Sequence, residues 1–87
     1  MAWVYILQSD VNSRFYIGST NDLERRLIEH TEGRSGYTKF LRPFKIVFSQ
    51  EFETLIEARK IEFKLKSFKS RKILERIILE GVIKIKV

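Results

Sequence analysis

The sequence contains no cysteine, a single histidine and no long apolar run. Without cysteine there can be no disulfide framework, no thiolate zinc site and no thiol nucleophile. A single histidine also excludes a metal site built from several histidines of this chain. The longest uncharged stretch, residues 1–9, is too short to span a membrane and lacks the basic start of a signal peptide. These absences predict an intracellular, cytoplasmic protein without a membrane span.

The residues that are present fit one small globular domain that prefers polyanions. With 87 residues the chain has room for a single core, and its 44% of hydrophobic residues is too high for a disordered chain. The 17 Lys and Arg outnumber the 11 Asp and Glu, giving a net charge of +6. An excess of this sign favours nucleic acid or an acidic membrane surface as partner. We expect residues 1–87 to form one domain.

The positive charge is concentrated in the last third of the chain. Residues 1–58 hold seven basic and eight acidic residues, whereas residues 59–87 hold ten basic and three acidic residues. Within the densest basic run, residues 59–72, Glu62 is the single acidic residue. Such a run is either a solvated helix face or a surface that contacts the phosphate backbone of nucleic acid.

Apolar patterning predicts three strands in the sheet. The first two, at residues 2–8 and 14–19, are rich in β-branched and aromatic residues and flank a polar turn at residues 9–13, so we expect an antiparallel hairpin. A third strand is predicted at residues 45–50. The tail, residues 82–87, alternates apolar and basic residues, which indicates either an added edge strand, within the chain or across a homodimer, or a frayed terminus.

Three helices complete the order ββαβα plus a C-terminal helix, a sheet with helices packed on it. Asn21, followed by Glu24, predicts the N-cap of a helix that runs to about residue 31 and ends at Gly33. A loop is expected over residues 32–43. Thr54 predicts the start of a long helix to about residue 68, and Ser70 and Gly81 predict the two ends of a short helix over residues 71–80.

Polar residues fall on faces that should be buried. In the first helix Arg26 and His30 share an arc with Leu23 and Leu27, whereas Arg25 and Glu29 are expected to point away. A charged residue on such a face needs a partner or a function. The alternative is that both side chains lie at the edge of the apolar stripe and extend to water.

Two tyrosines and one glutamate complete the candidate site. Tyr5 and Tyr16 lie on adjacent predicted strands, where paired tyrosines also occur as ordinary core residues. Glu62 lies at the flank of the apolar stripe of its helix, four residues before Lys66, so an ion pair on the helix surface is the alternative to a functional role.

Together these residues resemble the GIY-YIG nuclease domain, especially its small stand-alone bacterial branch, which is similar to the N-terminal domain of the excinuclease C subunit. The resemblance is carried by four motifs along nearly the whole chain: Trp3-Val4-Tyr5, Tyr16-Ile17-Gly18, Leu23-x-x-Arg26-Leu27-x-x-x-His30 and Glu57-Ala58-x-x-x-Glu62. The steps of eleven, ten and four residues that join Tyr5, Tyr16, Arg26 and His30 also match the family pattern.

The resemblance implies an α+β fold, a three-stranded antiparallel sheet flanked by helices, and a metal-dependent endonuclease. Glu62 would hold a divalent metal, Mg²⁺ or Mn²⁺, and Arg26 would bind the scissile phosphate. Tyr5 would deprotonate or position the attacking water, and Tyr16 and His30 would orient the reacting groups. The substrate would be DNA or, less favoured, RNA, cut in DNA repair or processing. Cleavage would be structure-selective or non-specific, and a protein partner or a homodimer would provide targeting.

Other residues would support this chemistry. Gly18 fits a position where backbone must be approached closely. Seven basic residues are candidate nucleic-acid contacts: Arg34, Lys39, Arg42, Arg59, Lys64, Lys66 and Lys69. Many members of the family carry an asparagine after the metal-binding glutamate, but the only asparagines here are Asn12 and Asn21. The alternative function is therefore a nucleic-acid-binding or adaptor module with weak or no turnover.

Overall fold

The computed structural model describes residues 1–31 and 44–83, which form a three-stranded antiparallel sheet and three helices. The elements, in chain order, are β1 Ala2–Ser9, β2 Phe15–Thr20, α1 Leu23–Thr31, β3 Phe44–Phe52, α2 Leu55–Phe68 and α3 Arg71–Glu80. The predicted α+β class and the order ββαβα plus a C-terminal helix are confirmed. The largest difference from the predicted bounds is β3, which continues two residues beyond the expected end.

β1 is the central strand of the sheet, in the order β2-β1-β3. It pairs antiparallel with both neighbours, and the register sets Tyr5 opposite Gly18 of β2 and Ser49 of β3. Because side chains alternate along a strand, Val4 and Ile6 lie on one face, whereas Tyr5 lies on the other. All three side chains are buried, which explains why this strand is apolar on both faces rather than alternating with polar residues.

The core forms where α2 and α3 pack on the face of Val4 and Ile6. α2 contributes Ala58, Ile61 and Leu65, all at helical spacing and at most 2% exposed, and α3 contributes mainly Ile77. The register of β1 and β3 shifts between Ile6 and Leu7, which inserts Val47 as a β-bulge. Because of the bulge, Val47 and its neighbour Phe48 both pack against this core.

The turn between β1 and β2 is held by its own polar residues. The Ser9 hydroxyl accepts a hydrogen bond from the Val11 N–H at 3.1 Å, and Asn12 Oδ1 accepts one from the Arg14 N–H at 3.0 Å. Ser13 has a positive φ of 61°. The two side-chain acceptors satisfy backbone donors that the strand ladder does not reach, so a five-residue loop closes the predicted hairpin.

The N-cap of α1 is not Asn21, as predicted, but Asp22. Asp22 Oδ1 accepts a hydrogen bond from the Arg25 N–H at 3.1 Å, and its carbonyl accepts the first helical bond from Arg26. A capping side chain must lie directly before the first helical residue, and α1 begins at Leu23, so an acceptor at position 21 lies one residue too early.

The caps of the later helices agree with the sequence analysis. Thr54 accepts a hydrogen bond from the Glu57 N–H, and Ser70 accepts one from the Ile73 N–H. Gly81 ends α3 with a φ of 75°, and its N–H donates to the Ile77 carbonyl at 2.8 Å. Lys69, with a φ of 49°, ends α2, so only two residues separate α2 from α3.

The tail does not begin as a strand. Ile83 is 7% exposed and joins the core, and its N–H donates to Gln50 Oε1 of β3 at 2.8 Å. Residues 84–87, the rest of the proposed edge strand, lie outside the described residues, as do Gly33 and the predicted loop over residues 32–43. Within the described ranges, no helix is long and apolar enough to cross a membrane.

We expect Ile61→Ala to lower the free energy of unfolding by about 2–5 kcal/mol, because it opens a cavity beneath the sheet. The matched control on the same helix is Phe63→Ala, since Phe63 is 76% exposed; its effect should stay within about 0.5 kcal/mol. Urea denaturation followed by circular dichroism measures both. Similar losses for the two variants would contradict the described packing of α2.

Candidate functional site

A pocket of about 200 Å³, here called the edge pocket, lies at β2 between α1 and α2. Its lining includes four of the five predicted catalytic residues: Tyr5, Tyr16, Arg26 and Glu62. The fifth, His30, lies in the last turn of α1, but its side chain is outside the described part of the structure. Tyr5 and Glu62, which are 57 positions apart in the chain, thus line one cavity.

The edge pocket joins side chains from opposite faces of the sheet. Tyr5 and Tyr16 lie on the face that α1 covers, whereas Ser19 lies on the face that α2 covers, as the register of β1 and β2 shows. β2 is an edge strand, so a cavity can follow its outer side from one face to the other. Arg26 therefore approaches from the α1 side and Glu62 from the α2 side.

Gly18 makes this arrangement possible. It is paired with Tyr5, and a Cβ at Gly18 would overlap the hydroxyl and Cζ of the Tyr5 ring. The ring thus passes directly over the Gly18 backbone toward the outer side of β2. The close approach that the sequence predicted at Gly18 is made by Tyr5, and it brings the Tyr5 hydroxyl to the edge pocket.

Arg26 is held by both a phenol and a carboxylate. Its hydrogen bond with Tyr5, and then the negative charge of Glu29, raise the pKa of Arg26 above its ordinary value despite partial burial. Glu29 Oε2 lies 3.4 Å from an Arg26 guanidinium nitrogen, and the Glu29 side chain is only 28% exposed. The expectation that Glu29 points away was therefore wrong: it accepts from Arg26 as well as pairing with Arg25 at 3.7 Å.

Glu62 has a partner on each carboxylate oxygen. Oε1 accepts a hydrogen bond from the Ser19 hydroxyl, and Oε2 lies 2.6 Å from the Lys66 ammonium group. The Glu62 side chain is 20% exposed, whereas that of Lys66 is 55% exposed. The ion pair with Lys66 that the sequence suggested is present, and it lies inside the edge pocket rather than on a remote helix surface.

The donor set of the edge pocket suits a hard divalent cation with few protein ligands. Glu62 is the pocket's carboxylate, and the hydroxyl groups of Ser19, Tyr5 and Tyr16 are further oxygen donors. In residues 1–31 and 44–83, no three histidine, cysteine or acidic residues are grouped as a metal site would need. Mg²⁺ binds through one or two carboxylates and otherwise through water and phosphate, so a single glutamate fits it.

The predicted nucleic-acid contacts of α2 do not share one surface. Lys66 lines the edge pocket, and together with Lys69 it also lines a larger neighbouring groove. Arg59 is exposed and lines neither cavity, and the Lys64 ammonium group lies over the Phe68 ring at 5.9 Å. Three further candidates, in the segment before β3, lie outside the described residues: Arg34, Lys39 and Arg42.

Ser19 is the site residue that the sequence analysis missed. It directly follows the motif Tyr16-Ile17-Gly18, and strand alternation places it on the same face as Ile17, toward α2. Its hydroxyl orients Glu62. Alternation alone could have indicated a hydroxyl on that face, but its glutamate partner is 43 residues away in the chain.

A protein-family model described as the GIY-YIG catalytic domain matches residues 1–75. Related proteins are small bacterial proteins named UPF0213. One from Staphylococcus saprophyticus is 38% identical over 80 residues, which cover 91% of this chain and 95% of the relative. UPF0213 protein YazA from Bacillus subtilis is 36% identical over 69 residues, which cover 78% of this chain and 69% of that relative.

The fold is also similar to a solved structure. The solution NMR structure of a UPF0213 protein from Bacillus halodurans superposes with a TM-score of 0.58 at 32% sequence identity. The match covers 93% of this chain and 87% of that protein. The name UPF0213 assigns no activity to these relatives, so the geometry of the edge pocket carries the functional argument.

We expect Gly18→Ala to destabilise the protein by about 1–3 kcal/mol, because the new methyl group overlaps the Tyr5 ring. In a Tyr5→Ala background the same substitution should cost much less, since the ring is absent. Urea denaturation of the four proteins in this double-mutant cycle gives the coupling between the two positions. An equal cost in both backgrounds would show that the ring does not cross Gly18.

Proposed function

Because the chain belongs to the GIY-YIG family, we propose that it is a metal-dependent endonuclease that hydrolyses phosphodiester bonds, in DNA more readily than in RNA. The observation that carries this proposal is the edge pocket, where Tyr5, Tyr16, Arg26 and Glu62 line one cavity. The guanidinium group comes from α1, the carboxylate from α2 and the two phenols from the β1–β2 hairpin. In this proposal residues 1–87 act as a single nuclease domain.

Glu62 is the proposed ligand of the divalent cation, Mg²⁺ or Mn²⁺. Nucleases of this family generally depend on a divalent metal. When bound, such a cation polarises a phosphate oxygen and lowers the pKa of water. Lys66 lies 2.6 Å from one carboxylate oxygen of Glu62 and the Ser19 hydroxyl donates to the other, so the carboxylate is held in a fixed orientation in the pocket.

Arg26 is the proposed phosphate-binding residue. Its guanidinium group binds the non-bridging oxygens of the scissile phosphate and offsets the negative charge that develops on them in the transition state. Glu29 and Tyr5 hold the side chain in place before substrate arrives, so little conformational freedom is lost on binding.

Tyr5 is the proposed base. As the phenolate it takes a proton from the attacking water, with Arg26 as its hydrogen-bond partner in the pocket. The water oxygen forms a bond to phosphorus while the bond from phosphorus to the 3′ oxygen breaks. The 3′ oxygen takes a proton from solvent, leaving a 3′-hydroxyl and a 5′-phosphate. Tyr16 and His30 orient the water and the phosphate.

The proposed setting is DNA repair or processing in the cytoplasm. Lys66 lines the edge pocket and Lys69 lines the neighbouring groove, and both supply contacts to the phosphate backbone that carry no sequence information. A domain of this size offers little further surface for reading base sequence, so cleavage is expected to depend on nucleic-acid structure or to be non-specific.

We expect purified protein to cleave plasmid, branched or single-stranded DNA only when Mg²⁺ or Mn²⁺ is present, and Glu62→Gln to reduce cleavage to background. The amide keeps the size of the side chain but removes the charge that holds the cation. The matched control is Glu51→Gln, an exposed residue of β3 at the opposite edge of the sheet. Gel assays with EDTA controls measure the activity.

Cleavage that survives Glu62→Gln or EDTA would overturn the metal-dependent mechanism. No cleavage of any substrate, combined with salt-sensitive binding that Glu62→Gln leaves intact, would establish the alternative, a nucleic-acid-binding or adaptor module. The absence of the asparagine that many family members carry favours that alternative. DNA binding should therefore be measured together with cleavage.

We expect Arg26→Lys to slow cleavage by about a hundredfold to a thousandfold, because one ammonium group cannot replace a guanidinium fork at the transition state. Arg25→Lys is the matched control, since Arg25 is 63% exposed and does not line the edge pocket. Single-turnover cleavage rates separate the chemical step from binding. Equal rates for the two variants would remove Arg26 from the proposed site.

A further inference from the structure

We infer that the larger groove beside the edge pocket binds an unpaired base of the strand being cut. The inference rests on the proposed function, because it takes the edge pocket as the place of the scissile phosphate. This groove, here called the base groove, has a volume of about 510 Å³ and is formed by β2, the end of α2 and the start of α3. Ligand pockets generally have about 300–1,000 Å³.

The base groove adjoins the edge pocket. Tyr16, Ile17 and Lys66 line both cavities. A nucleotide whose phosphate occupies the edge pocket therefore has its neighbouring base or sugar next to the opening of the base groove. Lys66 is the cation between them, and its side chain is 55% exposed.

The wall of the base groove carries a stacking surface. The guanidinium carbon of Arg71 lies 4.3 Å from the centroid of the Phe15 ring. Arg71 is held there by a hydrogen bond to the Ser13 carbonyl at 2.8 Å and by Glu75, 3.8 Å from its Nε. Aromatic rings and guanidinium planes are the two surfaces on which proteins stack splayed bases.

The remaining lining matches a nucleotide in polarity and charge. Leu74 adds apolar surface, whereas the charged side chains of the lining are all cations: Arg14, Lys66, Lys69 and Arg71. An apolar wall whose charged lining residues are cations suits a flat ring attached to a phosphate chain. A base within a duplex is paired and stacked, so only an unpaired base can enter the groove at low cost. The substrate class is therefore DNA with an unpaired nucleotide next to the cut.

The test compares binding of three DNA duplexes of one sequence, measured by fluorescence anisotropy in EDTA so that no cleavage occurs. The first is fully paired, the second has one unpaired nucleotide, and the third has an abasic residue at that position, which keeps the phosphates but lacks the base. We expect the duplex with the unpaired base to bind about fivefold to a hundredfold more tightly than the abasic duplex.

Two variants assign that difference to the base groove. Arg71→Lys keeps the charge but removes the planar group, and Phe15→Leu keeps the apolar volume but removes the ring; both should abolish most of the preference. Arg76→Lys, on an exposed position of α3 outside the groove lining, is the matched control and should keep the preference. Circular dichroism confirms that each variant is folded.

The outcomes separate this inference from the proposed function. Equal binding of the unpaired-base and abasic duplexes, or a preference that survives both groove variants, overturns the base groove whatever the cleavage assay shows. A preference that Arg71→Lys and Phe15→Leu abolish supports the groove even if no substrate is cleaved, in which case only the nuclease proposal fails.

Discussion

The close pairing of Tyr5 with Gly18 is the constraint on which the candidate site depends. The register of β1 and β2 sets the ring above the one residue of that strand pair that has no side chain, so the phenol crosses the strand and reaches the edge pocket. A slip of one residue would turn Tyr5 into the core beneath α2 and put Val4 or Ile6 in its place, because side chains alternate with a period of two. The buried apolar residues of β1 therefore also determine where the phenol lies.

The candidate site also depends on the edge position of β2 in the sheet. Charged groups cannot meet across the middle of a sheet without burial in its core, which is costly for unpaired charges. At an edge strand they can meet while each keeps contact with water: Arg26 is 33% exposed and Glu62 is 20% exposed. β2 also lines the base groove, so the proposed catalytic residues and the proposed stacking surface lie along the same edge strand.

The ion pair of Glu62 with Lys66 is compatible with a role of Glu62 as a metal ligand. The pair with Lys66 at the next turn of α2 follows from sequence spacing alone, and it was the ordinary alternative to a metal ligand. In the folded protein that pair lies at the border between the edge pocket and the base groove. Lys66 and Ser19 together orient the carboxylate in the edge pocket, so the ion pair is compatible with the proposed role.

The sequence alone predicts the elements, the helix caps at Thr54, Ser70 and Gly81, and the family, because helix ends, strand alternation and motif spacing are encoded within a few residues. It missed the N-cap at Asp22, since Asn21 and Asp22 are both good caps and only the first helical turn selects between them. Tertiary structure alone decided that Ser19 contacts Glu62, that Lys66 and Lys69 turn toward the site while Lys64 does not, and that Arg71 stacks on Phe15. These contacts join residues far apart in the chain, and their geometry depends on how α2 and α3 lie across the sheet, which no local pattern specifies.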